Sequence, residues 1–268
     1  MADSVRKILA DTREFLQFQA EMGITELPLT PELKDFLATP ATPPPAAPQS
    51  LARPQSQRPN PSVAPPLRKT ATTIPSPPPL PEVVQPIGEL HQEVANCRLC
   101  QLEATRQRVV PGSGAESARL LVITEQPGAA EENAGTPLAG AAGELFDRML
   151  QAIKLERGQI YLTSLVKCRP PEDREASAAE IHSCMNYLFR QIAAINPTVI
   201  CGLGPLTAKI LTGSPQPLFQ LRGRFHDFHG TPLLVTFHPS FLLRHPEMKK
   251  ASWQDLLIIQ KKLADSNR

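Results

Sequence analysis

The chain has 268 residues, 30 of them proline, with 28 Lys and Arg against 26 Asp and Glu for a net charge of +2. A balance this even excludes a basic nucleic-acid tail and an acidic solvating segment as the main business of the chain. No apolar run reaches the roughly 18 residues of a membrane span, and no charged start leads into an apolar export segment, so no membrane partner and a cytoplasmic location are expected.

The prolines divide the chain. Sixteen fall between Pro40 and Pro86, and only twelve are spread from His91 to the end. Each proline fixes φ and removes a backbone donor, so a segment about one-third proline carries neither helices nor central strands. Residues 1–38 are expected to hold an amphipathic helix over 3–20, with Val5, Ile8, Leu9, Phe15, Leu16 and Met22 at helical spacing. Such a face has to be covered, by the chain's own domain or by a protein partner. Residues 39–88 are expected to be a disordered, extended proline-rich linker, a spacer in preference to a docking site for a proline-binding module.

Residues 89–268 alternate apolar runs with helical patterns. Strands are expected over 119–124, 160–166, 197–202 and 232–237, and helices over 143–154, 177–195, 205–211 and 251–263. Ser177 and Glu180 have the spacing of a capping box. In the last helix Leu256, Leu257 and Ile259 are expected to face a core. This alternation predicts an α/β fold, a three-layer α/β/α sandwich around a mostly parallel four-stranded sheet. In such sheets ligands bind beyond the carboxyl ends of the strands, so the loops after Thr124, Val166 and Phe237 are the places to look.

The five cysteines form an odd set, which argues against a disulfide framework. Cys97 and Cys100 make a Cys-x2-Cys knuckle, Cys168 follows a strand, and Cys184 lies on the capped helix. Four thiolates from these elements can hold zinc or an iron–sulfur cluster, and spacing alone leans slightly to zinc. Cys201, inside the run Thr198-Val199-Ile200-Cys201-Gly202, is expected to be a small buried hydrophobe.

Six motifs in order then resemble the type-4, iron–sulfur branch of the uracil-DNA glycosylases. They are the Cys97–Cys100 knuckle, Val110-Pro111-Gly112-Ser113-Gly114, Glu125-Gln126-Pro127-Gly128 with Glu131-Glu132, Gly135-Thr136-Pro137-Leu138-Ala139-Gly140 with Gly143, Lys167-Cys168-Arg169-Pro170-Pro171, and His238-Pro239-Ser240-Phe241-Leu242-Leu243-Arg244. The resemblance implies a 4Fe–4S cluster on Cys97, Cys100, Cys168 and Cys184, with zinc as the alternative, and a structural role for it. It implies removal of uracil from single- or double-stranded DNA by a monomer, as the opening step of base-excision repair.

Such chemistry takes a base out of the stack and breaks its N-glycosidic bond, with negative charge developing on the base and positive charge on the sugar. His238 is expected to donate a hydrogen bond to a base oxygen and Glu125 to orient water or stabilise the cationic sugar. Gln126, Gly128, Leu138, Ser164, Ser240 and Arg244 are expected to contact the substrate, with Arg222 and Arg224 as further phosphate contacts. Three positions depart from the family's pattern: Thr124 replaces a glycine, Leu138 a phenylalanine that stacks on the base, and Ser164 an asparagine that reads its edge. They leave open a second reading, a catalytically weakened glycosylase fold that binds DNA or damaged bases.

Overall fold

A computed structural model describes residue 81 and residues 85–266. The helix expected over 3–20 and nearly all of the proline-rich linker lie outside the described residues.

Helix α1 (Ile87–Ala95) straddles the expected start of the domain and turns Leu90 and Val94 inward. Strands β2 (Leu120–Thr124), β3 (Ile160–Ser164), β4 (Val199–Leu203) and β6 (Thr231–Thr236) are the four runs anticipated from the sequence. They lie in the order β3-β2-β4-β6, all parallel. Every residue of β2, β3 and β4 is buried, which is why these strands read as continuous apolar runs rather than as alternations.

The sheet has six strands, not four. Antiparallel edges β1 (Ser113–Gly114) and β5 (Phe225–Phe228) flank the parallel centre, β1 on β3 and β5 on β6. Both escape a pattern search for physical reasons. β1 is two residues long, and β5 is a partly exposed edge joined to β6 through His229 and Gly230, whose φ values of 51° and 83° make a tight hairpin turn without the usual Asn-Gly.

Alternate residues of the strands feed two cores. Leu121, Ile123 and Tyr161 pack with α1 and with α4 (Ala178–Ile195) and α5 (Pro205–Thr212). Leu120, Val122 and Leu162 pack on the other face with α3 (Gly140–Ala152) and α8 (Lys249–Asp265). The result is the expected three-layer sandwich, and fully burying each such leucine or isoleucine contributes about 1.5–3 kcal/mol before entropy is counted. The capping box is formed: Ser177 Oγ accepts from the Glu180 amide at 3.3 Å, and Glu180 Oε2 accepts from the Ser177 amide at 2.8 Å. Leu257 corrects the expectation for the last helix. Leu256 and Ile259 are buried, but Leu257 is 40% exposed because it falls on the outer face of α8.

Because four strands run parallel, the loops after Thr124, Ser164, Leu203 and Thr236 emerge along one edge of the sheet. Three short helices complete this side of the chain: α2 (Ala129–Ala134), α6 (Leu218–Leu221) and α7 (Pro239–Arg244). No helix of the described residues is long and apolar enough to cross a membrane.

Candidate active site and cysteine centre

At the carboxyl edge a small pocket is lined by Val110, Thr124, Gln126, Pro127, Glu131, Pro137, Leu138, Ser164 and His238. Four of the expected site residues, Gln126, Leu138, Ser164 and His238, therefore meet in one place. Glu125 and Gly128, in the adjoining loop, and Ser240 and Arg244, in α7, stand outside the lining.

His238 follows β6 by two residues and caps α7. Its Nδ1 accepts the Ser240 amide at 3.2 Å and lies 2.7 Å from Ser240 Oγ. An imidazole nitrogen that accepts a backbone N–H carries no proton in the neutral ring, so the proton resides on Nε2. Burial, and secondarily the charge of Arg244, push the His238 pKa down to about 4, so the ring is neutral at pH 7. Ser240 spends both its amide and its hydroxyl on orienting this ring, which makes it a support for His238. Arg244 is exposed at the end of α7.

Glu125 follows β2 and turns toward the next loop. Its Oε1 accepts the Leu206 amide at 2.8 Å, at the first turn of α5. The strand-to-helix turn opens for it at Gly204 (φ +98°), where a Cβ would stand 2.4 Å from Oε1. A carboxylate at a helix start is the ordinary electrostatic pairing of that end of the helix.

The remaining loops are tied to one another. Gln126 Nε2 donates to the Arg174 carbonyl and its Oε1 accepts the Ala176 amide, both at 2.7 Å, so both ends of this side chain hold the segment that leads into α4. Gly128 has an unstrained φ of −95°, and its amide donates to Glu131 Oε2 at 3.1 Å. Glu131 Oε1 accepts the Ala139 amide at 3.1 Å, so one carboxylate joins the start of α2 to the glycine-rich loop. In that loop Leu138 is buried and holds a left-handed φ of 52°, rare for a side chain of this size. Ser164 is buried and its hydroxyl donates to the Val166 carbonyl at 2.7 Å.

Two residues matched to the DNA backbone behave differently from each other. Arg222 is no phosphate contact: its Nε pairs with Asp255 Oδ2 at 3.0 Å, its Nη2 donates to the Ala251 carbonyl, and its guanidinium covers the Phe237 ring. Asp255 is fully buried, and that burial raises its pKa. Arg224 is exposed.

Cys97, Cys100, Cys168 and Cys184 line a second small pocket, together with Val94, Val166, Lys167 and Tyr187. Yet among the described residues no three His, Cys, Asp or Glu side chains are close enough to share one metal ion. Arg106 braces the set, donating from Nη1 to Cys168 Sγ at 3.3 Å and from Nη2 to the Cys97 carbonyl at 2.7 Å. Burial raises the Cys168 thiol against the pull of Arg106, and raises Cys184 to about 11. Cys201 stands apart in β4, buried and with its thiol pKa raised by that burial, as the apolar run implied.

Lys167 lies between the two pockets. It is 1% exposed, and its Nζ donates to Thr163 Oγ1 at 2.6 Å and to the Ser164 carbonyl at 2.5 Å. Burial lowers its pKa to about 8, with the Cys184 and Cys168 thiols opposing.

Residues 111–257, more than half of the chain, match the family model of the uracil DNA glycosylase superfamily. The chain belongs to the uracil-DNA glycosylase superfamily. It is 34% identical to a type-4 uracil-DNA glycosylase of Pyrobaculum aerophilum over 178 residues, 63% of this chain and 91% of that protein. It is 32% identical to one of Archaeoglobus fulgidus over 175 residues (62% and 88%), and 34% identical to one of Thermotoga maritima over 169 residues (62% and 88%). These likenesses place it with the type-4 members of the superfamily, as its motifs implied.

Of the residues that support the site, Glu131 and Lys167 fall inside the sequence motifs and act on groups three to eight positions away. Arg106 and Arg157 gave no such signal, because their partners Cys168, Pro137 and Leu138 lie 62, 20 and 19 positions off.

Proposed function

We propose that the chain is a uracil-DNA glycosylase that hydrolyses the N-glycosidic bond of uracil in DNA and so opens base-excision repair. Water adds to the sugar C1′ while the bond to the base breaks, and the base leaves with the bonding electron pair and takes up a proton. The observation that carries this reading is the His238 ring, neutral and locked by Ser240 so that Nε2–H is its remaining donor beside the pocket. A donor set before the reaction toward a developing oxyanion stabilises it without reorganisation.

Leu138 and Ser164 would contact the base and Arg244 a flanking phosphate. Gln126, Gly128 and Ser240 would act by holding the loops and the imidazole, the roles their hydrogen bonds support. Glu125, held by the Leu206 amide at the neighbouring strand end, would orient the attacking water or offset charge on the sugar. Ser164 has its hydroxyl proton committed to Val166, so toward the base it can only accept. It cannot make the two-pronged contact of an asparagine, and discrimination among bases should be weaker for it.

The four thiols share one pocket, and four thiolates suit a 4Fe–4S cluster, with zinc as the alternative. When bound, the cluster would supply a structural tie between the knuckle, the strand β3 exit and α4.

Purified protein is expected to release uracil from single-stranded and duplex oligonucleotides and to absorb near about 400 nm, as cluster thiolates do. No release above His238→Ala from either substrate removes the enzyme reading. A colourless protein with stoichiometric zinc removes the cluster.

A further inference from the structure

Arg157 opens the turn Arg157–Gln159 before β3, and nothing in the reaction calls on it directly. Its Nη1 donates to the Pro137 carbonyl at 3.2 Å, its Nη2 to the Leu138 carbonyl, and its Nε to Asp147 Oδ1 at 2.5 Å. The Pro137 and Leu138 carbonyls belong to the two peptide planes on either side of the Leu138 Cα. The angle between those planes is what φ and ψ of Leu138 describe, so a rigid guanidinium that holds both carbonyls holds the left-handed conformation itself. The surroundings leave this arrangement little room to move. A Cβ at Gly143 would stand 2.1 Å from the Leu138 carbonyl oxygen and 2.9 Å from Arg157 Nη2, and the next amide, Ala139, is held from the other side by Glu131.

We propose that Arg157 is a positioning residue for the base pocket: by gripping the Pro137 and Leu138 carbonyls, anchored on Asp147, it sets where the Leu138 wall stands against the extracted base. The inference rests on the glycosylase reading and extends it to what determines the fit of the base. A lysine at this position keeps the charge and the pairing with Asp147 but presents a single point of contact, so it cannot fix both planes.

The test compares wild type, Arg157→Lys and Asp147→Asn for steady-state release of uracil from an oligonucleotide, inhibition by free uracil, and thermal unfolding. Arg157→Lys is expected to raise KM and weaken inhibition by free uracil about tenfold each, with a smaller change in kcat. Asp147→Asn, which leaves the carbonyl donors in place, is expected to shift the same two quantities in the same direction by less. A merely structural role would lower the unfolding temperature and leave KM and uracil inhibition at wild-type values, and that result overturns the proposal. If Arg157→Lys does not fold, unchanged uracil inhibition in Asp147→Asn overturns it equally. A wild type that releases no uracil removes the glycosylase reading and this inference with it, whereas an active wild type with unaltered Arg157→Lys removes the inference alone.

Discussion

In the base pocket each loop is fixed by several partners: Gln126 holds two backbone groups, Glu131 two amides, Arg157 two carbonyls, and His238 is oriented by both polar groups of Ser240. The cysteine centre is tied at its sulfurs: Arg106 donates to Cys168 Sγ, the Tyr187 hydroxyl is hydrogen-bonded to Cys97, and a Lys167 backbone group bonds Cys184. The pocket is held mostly through backbone groups around it, whereas the centre is held at the thiols themselves. Redundant backbone ties hold a cavity open when nothing fills it. A site closed by ligation takes part of its rigidity from what it binds.

Four measurements sharpen or break this contrast. The largest effect is expected from His238→Ala. Loss of one preorganised donor costs about 10²–10³-fold in rate, so uracil release should fall by that factor with little change in unfolding temperature. A variant within tenfold of wild type would move the chemistry away from His238.

Arg106→Gln comes next. Second-layer partners of metal ligands are worth about 10–100-fold in metal affinity, so iron should be lost to a chelator faster by a factor in that range, read at about 400 nm. Equal retention would mean that the centre is framed as redundantly as the pocket.

Ser164→Asn restores a donor and an acceptor at the base edge and should raise the preference for uracil over cytosine about tenfold in kcat/KM. An unchanged ratio would place base reading elsewhere in the pocket.

The smallest effect is one of pH. With His238 at about 4 in the folded protein against about 6.5 when unfolded, the unfolded chain takes up the proton first as pH falls. The contribution of the neutral ring to stability is complete above about pH 6.5 and is lost progressively toward about pH 4, and the acid limb of kcat/KM assigned to this ring should likewise lie near about 4. A limb near 6.5, absent in the Ser240→Ala variant, would show a ring less enclosed than its surroundings imply.

Much of this was legible in the chain because the relevant signals are local. Strands buried on both faces write continuous apolar runs, as in Leu120–Thr124, and Ser177 with Glu180 states its own cap. The motif residues sit at strand ends, where the parallel sheet collects them. The unread part depends on contacts distant in sequence. Arg106 meets Cys168 across 62 positions, and Gln126 meets Ala176 across 50. A lone arginine reads as a solvated charge until the fold shows what lies opposite it, and the sequence alone offers Arg222 as a DNA contact because its partner Asp255 is 33 positions away. Edge strands are illegible for a different reason, since β1 is shorter than any periodicity.

The fifth cysteine has a practical consequence. Cys201 lies in β4 on the face covered by α3 and α8, and a thiol reagent reaches it when that part of the core opens. The other four thiols would answer to the occupancy of the proposed cluster site. Alkylation of Cys201, followed by mass, therefore reports the opening of this layer of the core and lets its stability be followed apart from that site within a single sample.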